Sequence, residues 1–143
     1  MKTRPFIVGF LAVVAVLGAV SVYFSRTVDK ADKAIAAVVS PDGKYKAVKV
    51  SVARGGTSPF CFDSISIVLA AYPDNFAERD KAYEVYSGPC GSFSNHARSP
   101  KIEWLSATSL QITHAAPPPN VKPVKLKDID VTHSVHVTFV ARE

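Results

Sequence analysis

The chain lacks the signatures of the common phosphate-binding and hydrolytic sites. There is no G-x-x-x-x-G-K-[ST], no G-x-S-x-G and no H-E-x-x-H, which excludes a Walker-type nucleotide loop, a nucleophile elbow and a zincin helix. Cysteine is scarce, with only Cys61 and Cys90. They do not form C-x-x-C, so a thioredoxin-like redox motif is excluded. Leucine is also scarce, 6 residues against 20 valines. That ratio leans towards strands, because β-branched side chains are stiff at χ1 and fit a pleated surface. No strongly amphipathic helical stretch follows residue 39. At 143 residues the chain is too short for a TIM barrel, a two-domain dehydrogenase or a multi-blade propeller. One domain is the expectation, and 48% hydrophobic against 20% charged residues excludes wholesale disorder.

What is present first is a long apolar run. Residues 6–24, F-I-V-G-F-L-A-V-V-A-V-L-G-A-V-S-V-Y-F, carry no charge. As a helix this run spans about 28 Å, close to the ~30 Å hydrocarbon core of a bilayer. Lys2 and Arg4 precede it, and Tyr23 and Phe24 stand where interfacial aromatics belong. The reading is a single-pass signal-anchor. A cleaved signal peptide, with Ala19 and Ser21 as the small residues, is the alternative, but the run continues to Phe24. No cysteine follows the run to serve as a lipoprotein acceptor. Basic residues are nearly balanced across it, Lys2 and Arg4 against Arg26, Lys30 and Lys33, so positive charge barely decides the orientation.

The cysteines break the tie. An even count beyond an apolar segment predicts one Cys61–Cys90 disulfide in a translocated domain, with two unrelated buried thiols as the alternative. The N-terminus is then cytoplasmic. In a Gram-negative bacterium the remainder is periplasmic, on the inner membrane. The expected organisation is a cytoplasmic N-terminus at 1–5, a transmembrane anchor at 6–24, a charged stalk at 25–38 and an extracytoplasmic β domain at 39–143.

Beyond the stalk the chain reads as strands and turns. Residues 34–38 are the end of a helix or a first strand. Ser40-Pro41-Asp42-Gly43-Lys44 is a turn: Pro presets φ, Asp bonds nearby backbone and Gly accepts positive φ. Residues 45–52 alternate, with Val48, Val50 and Val52 on one face and Lys49 and Ser51 on the other. Residues 63–69 alternate with Ile65, Ile67 and Leu69 inward and Ser64 and Ser66 outward. Residues 72–79 are a polar connection, 83–86 a short strand and 87–100 a loop holding Cys90. Residues 102–105 and 110–114 read as a hairpin around Ser106-Ala107-Thr108. Pro117-Pro118-Pro119 starts an extended spacer. Residues 129–139 read as one last strand, with Ile129, Val131, His133, Val135, Val137 and Phe139 on the buried face. The fold class is therefore an N-terminal transmembrane helix followed by a mainly-β domain, an antiparallel sheet or sandwich of six or seven strands.

Candidate chemistry is thin. His133 and His136 are three apart on a strand of period two, so they face opposite ways and do not share a metal. His114 and His96 are scattered. A Cys90/His96 nucleophilic pair needs a free thiolate beside an oriented base, and a disulfide removes it. Arg54-Gly55-Gly56-Thr57 offers flexible amides and a guanidinium as a candidate anion or partner contact. Beyond the apolar run fifteen basic side chains stand against twelve acidic ones, too mild an excess for a nucleic-acid footprint. Catalytic residues, metal ligands and cofactor-binding residues are not expected.

The string Val39-Ser40-Pro41-Asp42-Gly43-Lys44-Tyr45-Lys46-Ala47-Val48 resembles the opening of a family of small bacterial and phage-borne, membrane-anchored β domains of unknown function. R-G-G-T-S-P-F followed by S-I-S-I-V, and I-E-W-L-S-A-T-S-L-Q-I, fit the same pattern. The resemblance implies a β domain behind a membrane or signal segment; the family has no established activity and no functional residues to carry over. The expected function is a non-enzymatic, membrane-anchored envelope protein that binds another protein, with an immunity or exclusion factor as its sharper form. A small periplasmic hydrolase using Cys90 and His96, or a cleaved secreted binding domain, is the alternative.

Overall fold

A computed structural model describes residues 31–56, 59–116 and 125–143. The apolar run, Thr57 and the proline spacer lie outside them. No helix of the described residues is long and apolar enough to cross a membrane.

Among the described residues the strands and the α-helix in chain order are β1 (Asp32–Val39), β2 (Tyr45–Arg54), β3 (Phe60–Leu69), α1 (Phe76–Arg79), β4 (Glu84–Pro89), β5 (Gly91–Ser92), β6 (Arg98–Ser99), β7 (Lys101–Ser106), β8 (Ser109–Ala115), β9 (Lys125–Leu126) and β10 (His136–Arg142), with a single 3-10 turn at Lys81–Tyr83 before β4. Residues 34–38 thus lie within a strand, and the sheet begins at Asp32, inside the expected stalk. Five strands form one sheet in the order β1-β2-β3-β4-β9, three form a second in the order β10-β8-β7, and β5-β6 is a separate small hairpin.

Turn chemistry sets the first hairpin. The Asp42 carboxylate accepts from Ser40 Oγ (2.6 Å) and from the Lys44 amide (3.1 Å), and Ser40 Oγ accepts from the Tyr45 amide. These bonds hold the Asp42 carboxyl below its ordinary value. Gly43 takes φ +72°, a conformation side chains resist. β1 and β2 then pair from Val39↔Lys46 to Asp32↔Ala53.

Period two puts Tyr45 and Ala47 of β2 and Ile65 and Ile67 of β3 on one face. That face packs against Leu110, Ile112, Val135 and Val137 to form the main core. The opposite face is also covered. Val48, Val50 and Val68 lie beneath Ala77 of α1, with Phe76 and Tyr83 against them. Ser64 and Ser66, expected outward, are buried for this reason. The 72–79 connection is therefore a lid over the second face. Lys46, 7% exposed, holds it by donating to the Tyr72 carbonyl and the Asp74 carboxylate.

The expected hairpin is present, with Ile102↔Ile112 and Trp104↔Leu110 in register. The last strand differs from expectation in two ways. The residues before it form a turn, and β10 starts only at His136. β10 then pairs with β8 in parallel, His136↔Ser109 through Arg142↔Ala115, whereas the β1–β2, β2–β3, β3–β4, β4–β9, β5–β6 and β7–β8 pairings are antiparallel. The cause of the turn is Asp130, whose carboxylate accepts from the Thr132, Ser134 and Val135 amides and from the Thr132 hydroxyl. A side chain offering that many acceptor contacts competes with the strand ladder and wins. His133 is exposed at φ +56° in this turn rather than on a buried strand face.

Candidate functional site

The two sheets do not cover each other evenly. At one half of the sandwich the inward residues are Tyr45, Ala47, Ile65 and Ile67, and the space is filled. Along the same face of the first sheet the next residues are Lys49, Ser51 and Ala53 on β2 and Asp63 and Cys61 on β3. These are small or polar, and they leave a groove of about 390 Å³. Its floor is completed by Asp32 and Ala34 of β1 and its far wall by Ser92, Arg98 and Ser99 of the β5-β6 hairpin. The wall is fastened by the Cys61–Cys90 disulfide, Cα–Cα 5.2 Å, and by the Ser99 hydroxyl, which accepts from the Ala115 amide at 2.7 Å.

Asp63 sits at the floor, 3% exposed, and accepts from the Ser51 hydroxyl. Tyr86, on the neighbouring strand, stays neutral over the physiological range. Burial, and then the Asp63 charge, push its phenol up to about 12. The ring lies 5.8 Å from that of His114, which is buried against the Ala115 carbonyl.

Next to this groove runs β1. It pairs only with β2, and its eight residues are all exposed. Ile35, Val38 and Val39 are apolar side chains in open solvent, Val39 at 53% exposure. The charges on the strand are Asp32 and Lys33 at its start, and Lys33 is paired with Glu78 at 2.8 Å. Trp104 of β7 donates its indole N–H to the Val38 carbonyl at 2.9 Å, tying the C-terminal end of β1 to the second sheet.

The structure places the expected site residues as follows. Cys61 and Cys90 are bonded, and no free cysteine remains among the described residues. Cys90 therefore offers no thiolate to His96, which stands at φ +62° in an exposed loop. Arg54 ends β2 and Gly55 and Gly56 follow it, Gly56 at φ +94°, and the Arg54 guanidinium lies over the Phe60 ring at 5.8 Å. Thr57 lies outside the described residues. His133 and His136 do not join other ligands, and no cluster of three or more His, Cys, Asp or Glu able to hold a metal occurs among the described residues.

The groove and the bare edge escaped the sequence reading. The groove's signal was available: Asp63 continues the Ile65–Ile67 face with a carboxylate, and Ser51 and Ala53 continue the Tyr45–Ala47 face with small side chains. No protein-family model matches the chain, and comparison with curated proteins and with solved structures finds no significant match.

Proposed function

We propose that the chain is a non-enzymatic, membrane-anchored envelope protein that binds a partner protein, taking up an extended segment of it along the outer edge of β1. The carrying observation is that edge: a full eight-residue strand paired with β2 alone, with the Trp104 indole on its Val38 carbonyl, exposed along its length and apolar at Ile35, Val38 and Val39. Soluble proteins normally blunt such an edge with charge, proline or a bulge. Here β1 and β2 pair without a register shift, and β1 past Lys33 has neither charge nor proline. Strand addition supplies main-chain hydrogen bonds for affinity and alternate side chains for specificity. The membrane part of the reading rests on the uncharged run at 6–24, with the disulfide favouring a compartment outside the cytoplasm. The resemblance to small bacterial and phage-borne membrane-anchored domains supports the same picture. An immunity or exclusion role is its sharper form.

The test is a photo-crosslinking amino acid at position 35 of the full chain in native membranes. A discrete adduct is expected, and the same probe at Thr138, an exposed position on β10, should give none. Ile35→Lys with Ala37→Lys should reduce partner capture at least about tenfold without lowering the melting temperature, since both positions are exposed. Equal capture by this variant, or no adduct from position 35, would overturn the reading.

A further inference from the structure

The groove beside the disulfide brings charged and small side chains together. Its lining holds serines, alanines, the two bonded cysteines, two carboxylates and three cations. Asp63 is more than nine-tenths buried at its floor, and the Ser51 hydroxyl donates to its Oδ1. No described side-chain atom is both fully buried and unpaired, so the second carboxylate oxygen keeps some solvent access, and Asp63 lines the groove. The nearest basic neighbour on the same face is Lys49, diagonal to Asp63 across the β2–β3 pair. Arg98 faces it from the hairpin wall. Neither cation forms an ion pair within 4 Å among the described residues. Lys33, which also lines the groove, is paired with Glu78 outside it at 2.8 Å; Asp32 and Asp63 against Lys49 and Arg98 then balance, with their charges separated.

A neutral groove with separated charges matches a ligand of the same kind. We propose that it binds a zwitterion of the amino-acid class, a short peptide with free termini. The α-ammonium donates to Asp63 Oδ2. The α-carboxylate lies between Lys49 and Arg98, where the guanidinium can hold it by two parallel bonds. Small side chains at Ala34, Ser51, Ala53 and Ser92 leave room for the peptide's own side chains. A volume of about 390 Å³ falls within the ~300–1,000 Å³ range of small-molecule sites. This site goes beyond the β1 edge and does not depend on it.

The test titrates the detergent-solubilised full chain with trialanine, N-acetyl-trialanine, trialanine amide and inorganic phosphate, followed by calorimetry and amide NMR shifts. Trialanine should saturate with a dissociation constant of about 1 mM or tighter and shift the amides of Ser51, Asp63 and Arg98. N-acetylation or amidation should each weaken it at least about tenfold. Asp63→Asn should cause a comparable loss for trialanine and leave the acetylated peptide unaffected. Should Asp63→Asn fold poorly, Lys49→Met takes its place and should weaken trialanine but not its amide. No saturation at ~10 mM, equal binding of blocked and free peptides, or binding of phosphate alone with no response to trialanine, would each overturn the proposal.

Discussion

Asp130 shows how one side chain decides local structure. It is 2% exposed, and burial alone would raise its carboxyl; the Thr132 hydroxyl and the Val135, Thr132 and Ser134 amides outweigh burial and hold it below the model-peptide value of 3.8. The folded state therefore prefers the charged form. The stability this contributes is complete above about pH 4 and is lost as pH falls through the depressed folded value. Urea midpoints of the wild type should drop on acidification through this window more steeply than those of Asp130→Asn. At neutral pH, Asp130→Ala strips the Ser134 and Val135 amides of their acceptor, at 2.8 and 2.7 Å. It should cost about 3 kcal/mol in chemical denaturation. A cost under about 1 kcal/mol would mean that water replaces the carboxylate there.

Strands were legible where a local signal was strong. The S-P-D-G-K turn and the Trp104–Leu110 hairpin followed from turn residues and period two, because both are decided within a few residues. The turn at 131–134 was not legible, since V-T-H-S-V alternates like a strand and only the acceptors of Asp130 break it. Parallel pairing of β10 with β8 is a long-range choice on which alternation is silent. The second buried face was missed because Val48, Val50 and Val52 read as one inward face, while the cover, α1, is four residues long and carries no helical period. The groove hid for the same reason: small residues in a strand look neutral until the opposite wall is known. At this level the Trp104 bond to β1 makes a measurable claim. Trp104→Phe keeps the ring and removes the donor to Val38. It should cost about 1 kcal/mol overall and speed amide exchange in β1 more than in β2. Uniform exchange across both strands would show that β1 opens only with global unfolding.

For the molecule as a whole, the disulfide joins stability to compartment. Cys61 and Cys90 lie 29 residues apart and fasten β3 to the start of β5 beside the groove. Closing a loop of that length lowers the entropy of the unfolded chain, worth ~3.5 kcal/mol, a large share of the 5–15 kcal/mol typical of a domain. Reduction, or Cys61→Ser with Cys90→Ser, should lower the unfolding free energy by about that amount. The loss should be felt first at the β5-β6 wall, whose own pairing is only two residues long. On the proposed reading the same bond also bears on the compartment. A cytosolic thiol pool would keep both sulfurs reduced, whereas an oxidising compartment bonds them. Trapping thiols in intact cells with a membrane-permeant maleimide before lysis should therefore leave the full-length chain unlabelled and in the membrane pellet. Prior reduction should add two labels. Two labels without reduction, from a chain in the high-speed supernatant, would place the domain in the cytosol, and the anchored envelope reading would fall with it.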